Sequence, residues 1–310
     1  MHHPWIIIVN PTAGSGKGRQ QWSQVQQQLE QQGMTYEVAW TTHAQHAMDL
    51  AEQAVHQGYR CIAAMGGDGT AHEVVNGLCR QQQVPSQDLV FALLPVGTGN
   101  DWIKTHGIPN DCRAVLALMQ AGRTLLHDIG YIHYHNAAGQ PQSRYFLNVA
   151  GLGYDAFVTK ASNERRRFGS NTFTYFYLIL SCLLRYRPPR MRVTLDHEVV
   201  EGAIFSMAVG QGRYNGGGAQ VVPHALPDDG RVAVTAFQDI STWEVVRHTP
   251  KFYDGTITSH PKAIDRQVVA VQVAPLLGAR PALIEADGEY LGQVPARFEM
   301  LPKALRVVVP

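Results

Sequence analysis

The sequence predicts a two-domain chain: an α/β domain with a parallel sheet and helices on both faces over residues 1–128, then an antiparallel β-sandwich domain over 129–300. Three observations predict it. The first 130 residues alternate near-continuous apolar runs with helical periodicity, the pattern of strands buried on both faces. After about residue 128 the runs become short, with apolar and polar residues alternating and turn signals such as DDG and GGG between them. The closing LRVVVP is apolar and short, so 301–310 is a candidate to return to the first sheet.

The elements follow in order. WIIIVN (5–10) is a buried strand; residues 18–32 carry Trp22, Val25 and Leu29 at helical spacing and form an amphipathic helix ended near Gly33. YEVAW (36–40) is a strand and 43–57 a helix. CIAAM (61–65) is a strand followed by a glycine turn and a helix over 70–80. LVFALLP (89–95) is a strand with a second glycine turn and a short helix behind it. Beyond 128, RYFLNVA, MRVTLDHEVVEGAIFSMAVG, GRVAVTAF, QVVAVQVA and ARFEML read as strands, interrupted by helical stretches near 155–166 and 172–186.

Bulk properties narrow the function. With 310 residues, 45% apolar and 16% charged, the chain is globular and long enough for two cores. A formal net charge of +1 provides no global field for nucleic acid. Cys61, Cys79, Cys112 and Cys182 are scattered, which argues against a disulfide framework or a zinc site and for a reducing cytosol. The N-terminus shows no signal-peptide pattern, and the longest apolar stretch, about 12 residues at 173–184, is shorter than the roughly 20 that span a bilayer. The expectation is a cytoplasmic protein, at most peripheral to a membrane.

The motifs sit in the turns. IIIVNPTAGSGKG (6–18) invites a P-loop reading, but Pro11 stands where the first glycine belongs and Gly18 where the hydroxyl belongs. A strand followed by a turn rich in backbone N–H groups remains, and such a turn can still face a phosphate. MGGDGTAHEVVNG (65–77) and LPVGTGNDW (94–102) each follow a strand and each hold a threonine with an acid three places on, Thr70 with Glu73 and Thr98 with Asp101. That spacing is close to a capping box. It is also what a phosphate cradle at the carboxyl ends of parallel strands would use. Asp68, inside the first glycine run, favours the cradle, since a carboxylate beside phosphate calls for an intervening cation such as Mg²⁺.

With these motifs on view, the chain resembles the soluble diacylglycerol kinase and sphingosine kinase family of lipid kinases. The resemblance rests on NPTAG, GGDGT and PVGTGND in that order, with DIG (128–130), NVAGLGYDA (148–156), PDDG (227–230) and DGE (287–289) further on. It implies a phosphofructokinase-like nucleotide domain, a β-sandwich lipid domain, ATP as phosphoryl donor and Mg²⁺. Asn10, Thr12, Gly14 and Thr41 would line the nucleotide. Gly66, Gly67, Asp68, Gly69, Thr70, Ala71 and His72 would cradle the phosphates, with Thr98 and Asn100 across from them. Asp68, Asp101 and Asp128 would form an acidic set near the catalytic Mg²⁺. Lys17 has no role in the pattern. A structural Mg²⁺ would take the Asp229 carboxylate and the main-chain carbonyls of Leu226 and Arg231. Asp287 and Glu289 would be the catalytic pair, one taking the hydroxyl proton, with Asp287 preferred. Two other readings are an NAD kinase-like enzyme, which fits GTGND and NPTAG less well, and a catalytically silent lipid- or nucleotide-binding regulator.

A lipid kinase must meet its substrate at a membrane. Between residues 160 and 192 stand eight cations, Lys160, Arg165, Arg166, Arg167, Arg185, Arg187, Arg190 and Arg192, against the single acid Glu164. They flank the aromatic and aliphatic run 172–184, an interfacial patch suited to anionic lipid or simply a solvated face over a core helix. The resemblance implies transfer of the ATP γ-phosphate to a lipid hydroxyl at an anionic membrane surface, most simply diacylglycerol to phosphatidic acid; which lipid is taken and whether the chain forms a homodimer are left open.

Overall fold

The computed structural model of the chain describes residues 4–165 and 172–310. Its elements run β1 (Trp5–Val9), α1 (Ala13–Gln31), β2 (Tyr36–Trp40), α2 (His46–His56), β3 (Cys61–Gly66), α3 (Asp68–Arg80), β4 (Val90–Pro95), α4 (Trp102–Thr105), α5 (Cys112–Ala121), β5 (Thr124–His135), β6 (Pro141–Phe146) and β7 (Val149–Gly153). They continue with α6 (Tyr154–Arg165), α7 (Thr172–Arg185), β8 (Arg190–Leu195), β9 (Glu198–Gly210), β10 (Tyr214–Asn215), β11 (Ala219–Gln220), β12 (Val232–Gln238), α8 (Thr242–His248), α9 (Pro250–Tyr253), β13 (Ala263–Val268), β14 (Ala270–Pro275), β15 (Leu283–Ala286) and β16 (Glu289–Val308). Two compact units result. The first holds Met1–Ile129, Pro227–Asp229 and Leu301–Pro310; the second holds Gly130–Leu226 and Gly230–Met300. Pro227–Asp229, expected with the sandwich, cluster with the first unit, where the Asp128 amide donates to Pro227 O at 2.7 Å.

In the first unit β1 pairs in parallel with β2 and β3, and β3 with β4, so Ile7 lies beside Val38 and Ala63. The tail of β16 pairs in parallel with β4, Arg306 beside Val90 and Val307 beside Phe91. Parallel strands covered by crossover helices must be apolar throughout, and all five residues of β1 are buried. Ile7, Ile62, Met65, Leu78, Phe91 and Leu93 form the interior with Leu29 of α1. Helix α1 begins five residues earlier than its apolar periodicity announced. Its first turn is left-handed at Gly14, Ser15 and Gly16 (φ 59, 61 and 90°) before the regular helix continues.

In the second unit the strands are antiparallel and their pairings close on themselves: β9 with β7, β7 with β15, β15 with β16, β16 with β14, β14 with β8, and β8 with β9. Strand β12 extends this on β9, and β13 on β12. The interior is built from alternate residues, among them Phe146, Leu152, Val193, Met207, Val234, Val271, Ile284 and Phe298. A second cluster packs Leu178, Cys182 and Leu183 of α7 and Tyr154 and Val158 of α6 against Phe205 and Phe237. No helix among the described residues is long and apolar enough to cross a membrane.

Candidate active site

Three turns leave the carboxyl ends of β1, β3 and β4, and their side chains lace them together. Asn10, just past β1, donates from Nδ2 to Thr70 Oγ1 at 3.0 Å, and its Oδ1 accepts from Thr12 N and Oγ1 at 3.1 and 2.9 Å. Its amide reaches Met65 O at the end of β3. Gly14 lies against the third turn: a Cβ there would stand 3.1 Å from Val96 Cγ1 and 3.3 Å from Gly97 N. With φ at 59° as well, the position demands glycine. Thr41, past β2, donates its amide to Val9 O at 2.9 Å.

The capping alternative for the two threonines does not describe this structure. The N-cap of α3 is Gly67, and that of α4 is Asp101, neither with a side-chain cap bond. Thr70 accepts from Asn10 instead, and Thr98 is exposed. Glu73 serves a different helix: its carboxylate takes Gln45 N at 2.9 Å and Ala47 N at 3.2 Å, capping the start of α2.

Asp68 has a role that local sequence could not show. Its Oδ2 accepts from Asp101 N at 2.7 Å and its Oδ1 from Trp102 N at 3.4 Å, so a carboxylate on the first residue of α3 holds the opening amides of α4. Asp101 Oδ1 in turn accepts from Lys104 Nζ at 2.7 Å. Asn100 is 2% exposed and ties the turn from within, donating to Asn110 Oδ1 at 2.8 Å. Asn110, absent from the sequence reading, also donates to Gly97 O at 3.1 Å. Ala71 and His72 are buried in α3, so any contribution of theirs to a ligand comes through the main chain.

Asp128 stands apart. It is fully buried, and its Oδ1 accepts from Lys303 N at 2.6 Å, fastening the returning tail of the chain. Among the described residues no three His, Cys, Asp or Glu side chains gather as a metal cluster, and the Asp68, Asp101 and Asp128 carboxylates are engaged by backbone amides and by Lys104.

In the second unit Asp287 occupies the turn between β15 and β16 at φ 49°. Its Oδ1 accepts from Asn148 N and Val149 N at 2.9 and 3.2 Å, and its Oδ2 from Leu147 N at 2.8 Å. Glu289 opens β16. Immediately before the turn lies Glu285, 0% exposed inside an apolar strand, accepting from Gly288 N at 2.9 Å. Burial pushes its carboxyl up to about 8, helped by Asp155, Asp287 and Glu289. Asp155 on α6 is pushed up to about 7 by loss of hydration at its carboxyl, although part of the residue reaches solvent. The sequence signal for Glu285 is an acid within the apolar run LIEA. Leu226, Asp229 and Arg231 lie together on the loop that precedes β12.

The basic patch is thinner than its count of cations. Arg166 and Arg167 lie outside the described residues. Lys160 sits 5.3 Å over the Tyr290 ring, and Arg192 pairs with Glu201. Arg185, Arg187 and Arg190 are exposed.

Comparison with known proteins follows this division. Residues 4–132 match the diacylglycerol kinase catalytic domain, and residues 148–309, more than half of the chain, match the YegS C-terminal NAD kinase beta sandwich-like domain. The chain belongs to the diacylglycerol kinase family of lipid kinases. A diacylglycerol kinase of Staphylococcus aureus (strain bovine RF122 / ET3-1) is 28% identical over 304 residues, covering 98% of this chain and 91% of the relative. A crystal structure of a diacylglycerol kinase from Bacillus anthracis (strain Sterne) superposes with a TM-score of 0.72 at 20% identity, covering 99% of this chain and 97% of that one. Yeast NADH kinase complexed with NADH superposes with a TM-score of 0.53 at 10% identity, covering 100% of this chain and 84% of that one. At these identities the two structures speak to the fold alone. This family member is a lipid kinase, with a catalytic α/β domain and a β-sandwich-like domain.

Proposed function

We propose that this lipid kinase transfers the γ-phosphate of ATP, with Mg²⁺, to the hydroxyl of diacylglycerol. The observation that carries the reading is the lacing of three turns at the carboxyl ends of parallel strands, where α/β sheets take their ligands, with both threonines released from capping. Asn10, Thr12, Gly14 and Thr41 line the nucleotide; the Gly66–His72 run cradles the phosphates with the amides at its start, those of Thr70 and Ala71 being bonded to Gly67 O; Thr98, Asn100 and Asp101 stand opposite. An N-terminus of a helix favours anionic phosphate, and α3 starts within this run. The curated relatives named diacylglycerol kinase, matched over nearly the whole chain, support the choice of lipid.

On the loop before β12, Mg²⁺ would take the Asp229 carboxylate and the main-chain carbonyls of Leu226 and Arg231, hard oxygen donors of the kind the ion prefers. Bound with ATP, Mg²⁺ would neutralise phosphate charge; the chain's own task is to position the hydroxyl and take its proton. The turn Asp287–Gly288–Glu289 supplies the base.

The substrate lies in a membrane, and we place the approach on α7. Its inner face is buried, while Tyr177, Leu180 and Leu184 on the other side are 65, 44 and 77% exposed, next to Arg185, Arg187 and Arg190. Large apolar side chains edged by cations match the boundary of an anionic bilayer. An NAD kinase-like activity is the second reading, favoured by the match of residues 148–309 to the YegS C-terminal NAD kinase beta sandwich-like domain. A panel of lipids and NAD offered with labelled ATP, with products identified by mass spectrometry, decides between them. Labelled phosphatidic acid is the expected product; label on NAD alone overturns the proposal.

A further inference from the structure

Glu285 and Asp155 are unused by the chemistry above, yet they lie directly behind its turn. Glu285 on β15 is the cross-strand partner of Gly151 on β7. A Cβ at Gly151 would fall 2.4 Å from Glu285 Oε1 and 3.1 Å from Asp155 Cβ, so both acids crowd the space this glycine leaves. Glu285 Oε2 accepts from Gly288 N, in the middle of the turn, whereas Oε1 is buried with no hydrogen-bond partner in the structure. An ionised oxygen so placed would be a buried charge without a donor, which proteins avoid. Protonation removes that charge, and Asp155 nearby raises the cost of ionising it further. The groups facing Glu285 are all acidic: Asp155 from α6, and Asp287 and Glu289 from the turn. Strand β7, with the sequence VAGLG, brings no titratable side chain.

We propose that Glu285 is a positioning residue that works as a neutral acid, its Oε2 holding the Asp287–Glu289 turn through Gly288 and its buried Oε1 carrying the proton beside Asp155. The role rests on the reading of that turn as the source of the base. In the neutral state the turn is clamped without a further negative charge beside Asp287 and Glu289. Ionisation of the pair puts repulsion behind the turn and loosens it, so transfer falls on the alkaline side as pH passes about 8, where burial has placed Glu285.

The test compares Glu285→Gln with Glu285→Leu in the full chain. Glutamine keeps an acceptor for Gly288 N and stays neutral at every pH. It is expected to hold kcat within about threefold of wild type and to remove the alkaline limb of the pH–rate profile. Leucine loses the bond to Gly288 N and is expected to lower kcat by roughly tenfold or more with KM for ATP nearly unchanged, the mark of a misplaced reacting group. Glutamine as damaging as leucine, or leucine as active as wild type, overturns the role. A fold-level readout stands beside these. The folded state holds a proton on Glu285 that the unfolded state releases near its ordinary value, so wild-type melting should lose stability between about pH 4.5 and 8 relative to Glu285→Gln. Parallel melting curves of the two across that range overturn it as well. Asp287→Asn is assayed in the same series. Full activity there overturns the reading of the turn, and the positioning role with it; loss of activity there beside an unaffected Glu285→Leu overturns the positioning role alone.

Discussion

Asp68 Oδ2 accepts a 2.7 Å hydrogen bond from the backbone N of Asp101, joining the turn after β3 to the turn after β4 across 33 residues of chain. Asp68 therefore has a structural task besides any part in the phosphate site. Asp68→Ala removes the acceptor for the opening amides of α4, and loss of such a cap costs about 0.5–2 kcal/mol. The expected outcome is a melting temperature lower by a few degrees together with transfer reduced by roughly 100-fold or more. Calorimetry and a single-turnover assay check the two separately. A variant that melts early yet transfers at the wild-type rate reduces Asp68 to a cap.

Removal of metal is the next test. A ligand bound only by the folded state stabilises it by mass action. Asp229→Ala should melt at the same temperature in Mg²⁺ and in chelator, while the wild type melts higher in Mg²⁺. If the chelator shifts the variant as far as the wild type, the ion is held elsewhere.

Acid should destabilise the first unit through His106. Its ring packs 4.9 Å from Trp102 and 5.0 Å from His127. Burial and the neighbouring His127 hold it well below the ordinary histidine value. The unfolded chain thus binds a proton that the folded chain refuses, so stability is full above about pH 6.5 and is lost as pH falls through it. His106→Phe should flatten that acid slope of the melting curve relative to wild type. Equal slopes for the two would remove His106 as its source.

The elements were legible because their apolar runs differ in kind. Trp5–Val9 and Val90–Pro95 are continuous, as parallel strands buried on both faces must be, while Arg190–Leu195 alternates residue by residue. What escaped the sequence are partnerships over distance. Thr70 and Glu73 looked like a local capping pair at i, i+3, yet Glu73 caps a helix 28 residues earlier and Thr70 serves Asn10. Asp128, read from its motif as a metal-site acid, also accepts the amide of Lys303, 175 residues later, a contact its motif does not announce. The motifs located the turns; which carboxylate is spent on amides is decided by tertiary contacts that no short window contains.

The membrane approach predicts a division of labour on α7. Leu180→Ser with Leu184→Ser should weaken binding to anionic vesicles at every salt concentration, because apolar insertion is unscreened. Arg185→Gln with Arg187→Gln should weaken it at low salt and converge with wild type at high salt. Sedimentation across a salt series reads both. Unchanged partitioning of both variants returns α7 to an ordinary surface helix.

The chemical step is the last test. Asp287 is both a candidate base and the anchor that receives Leu147 N, Asn148 N and Val149 N. Asp287→Asn therefore changes two things at once: it removes the carboxylate and turns an amide NH₂ toward backbone donors. Its melting temperature should fall along with kcat. Glu289→Gln is the other arm of the comparison. If Asp287 takes the hydroxyl proton, Asp287→Asn should lower kcat by roughly 10²–10⁴-fold, the range for a lost general base, with ATP affinity nearly unchanged. Glu289→Gln should then be impaired by a smaller factor and should keep the acidic limb of the pH–rate profile. If Glu289→Gln alone abolishes that limb while melting like wild type, Glu289 is the base and Asp287 its anchor. If both variants turn over normally, proton removal by this turn is not part of the reaction.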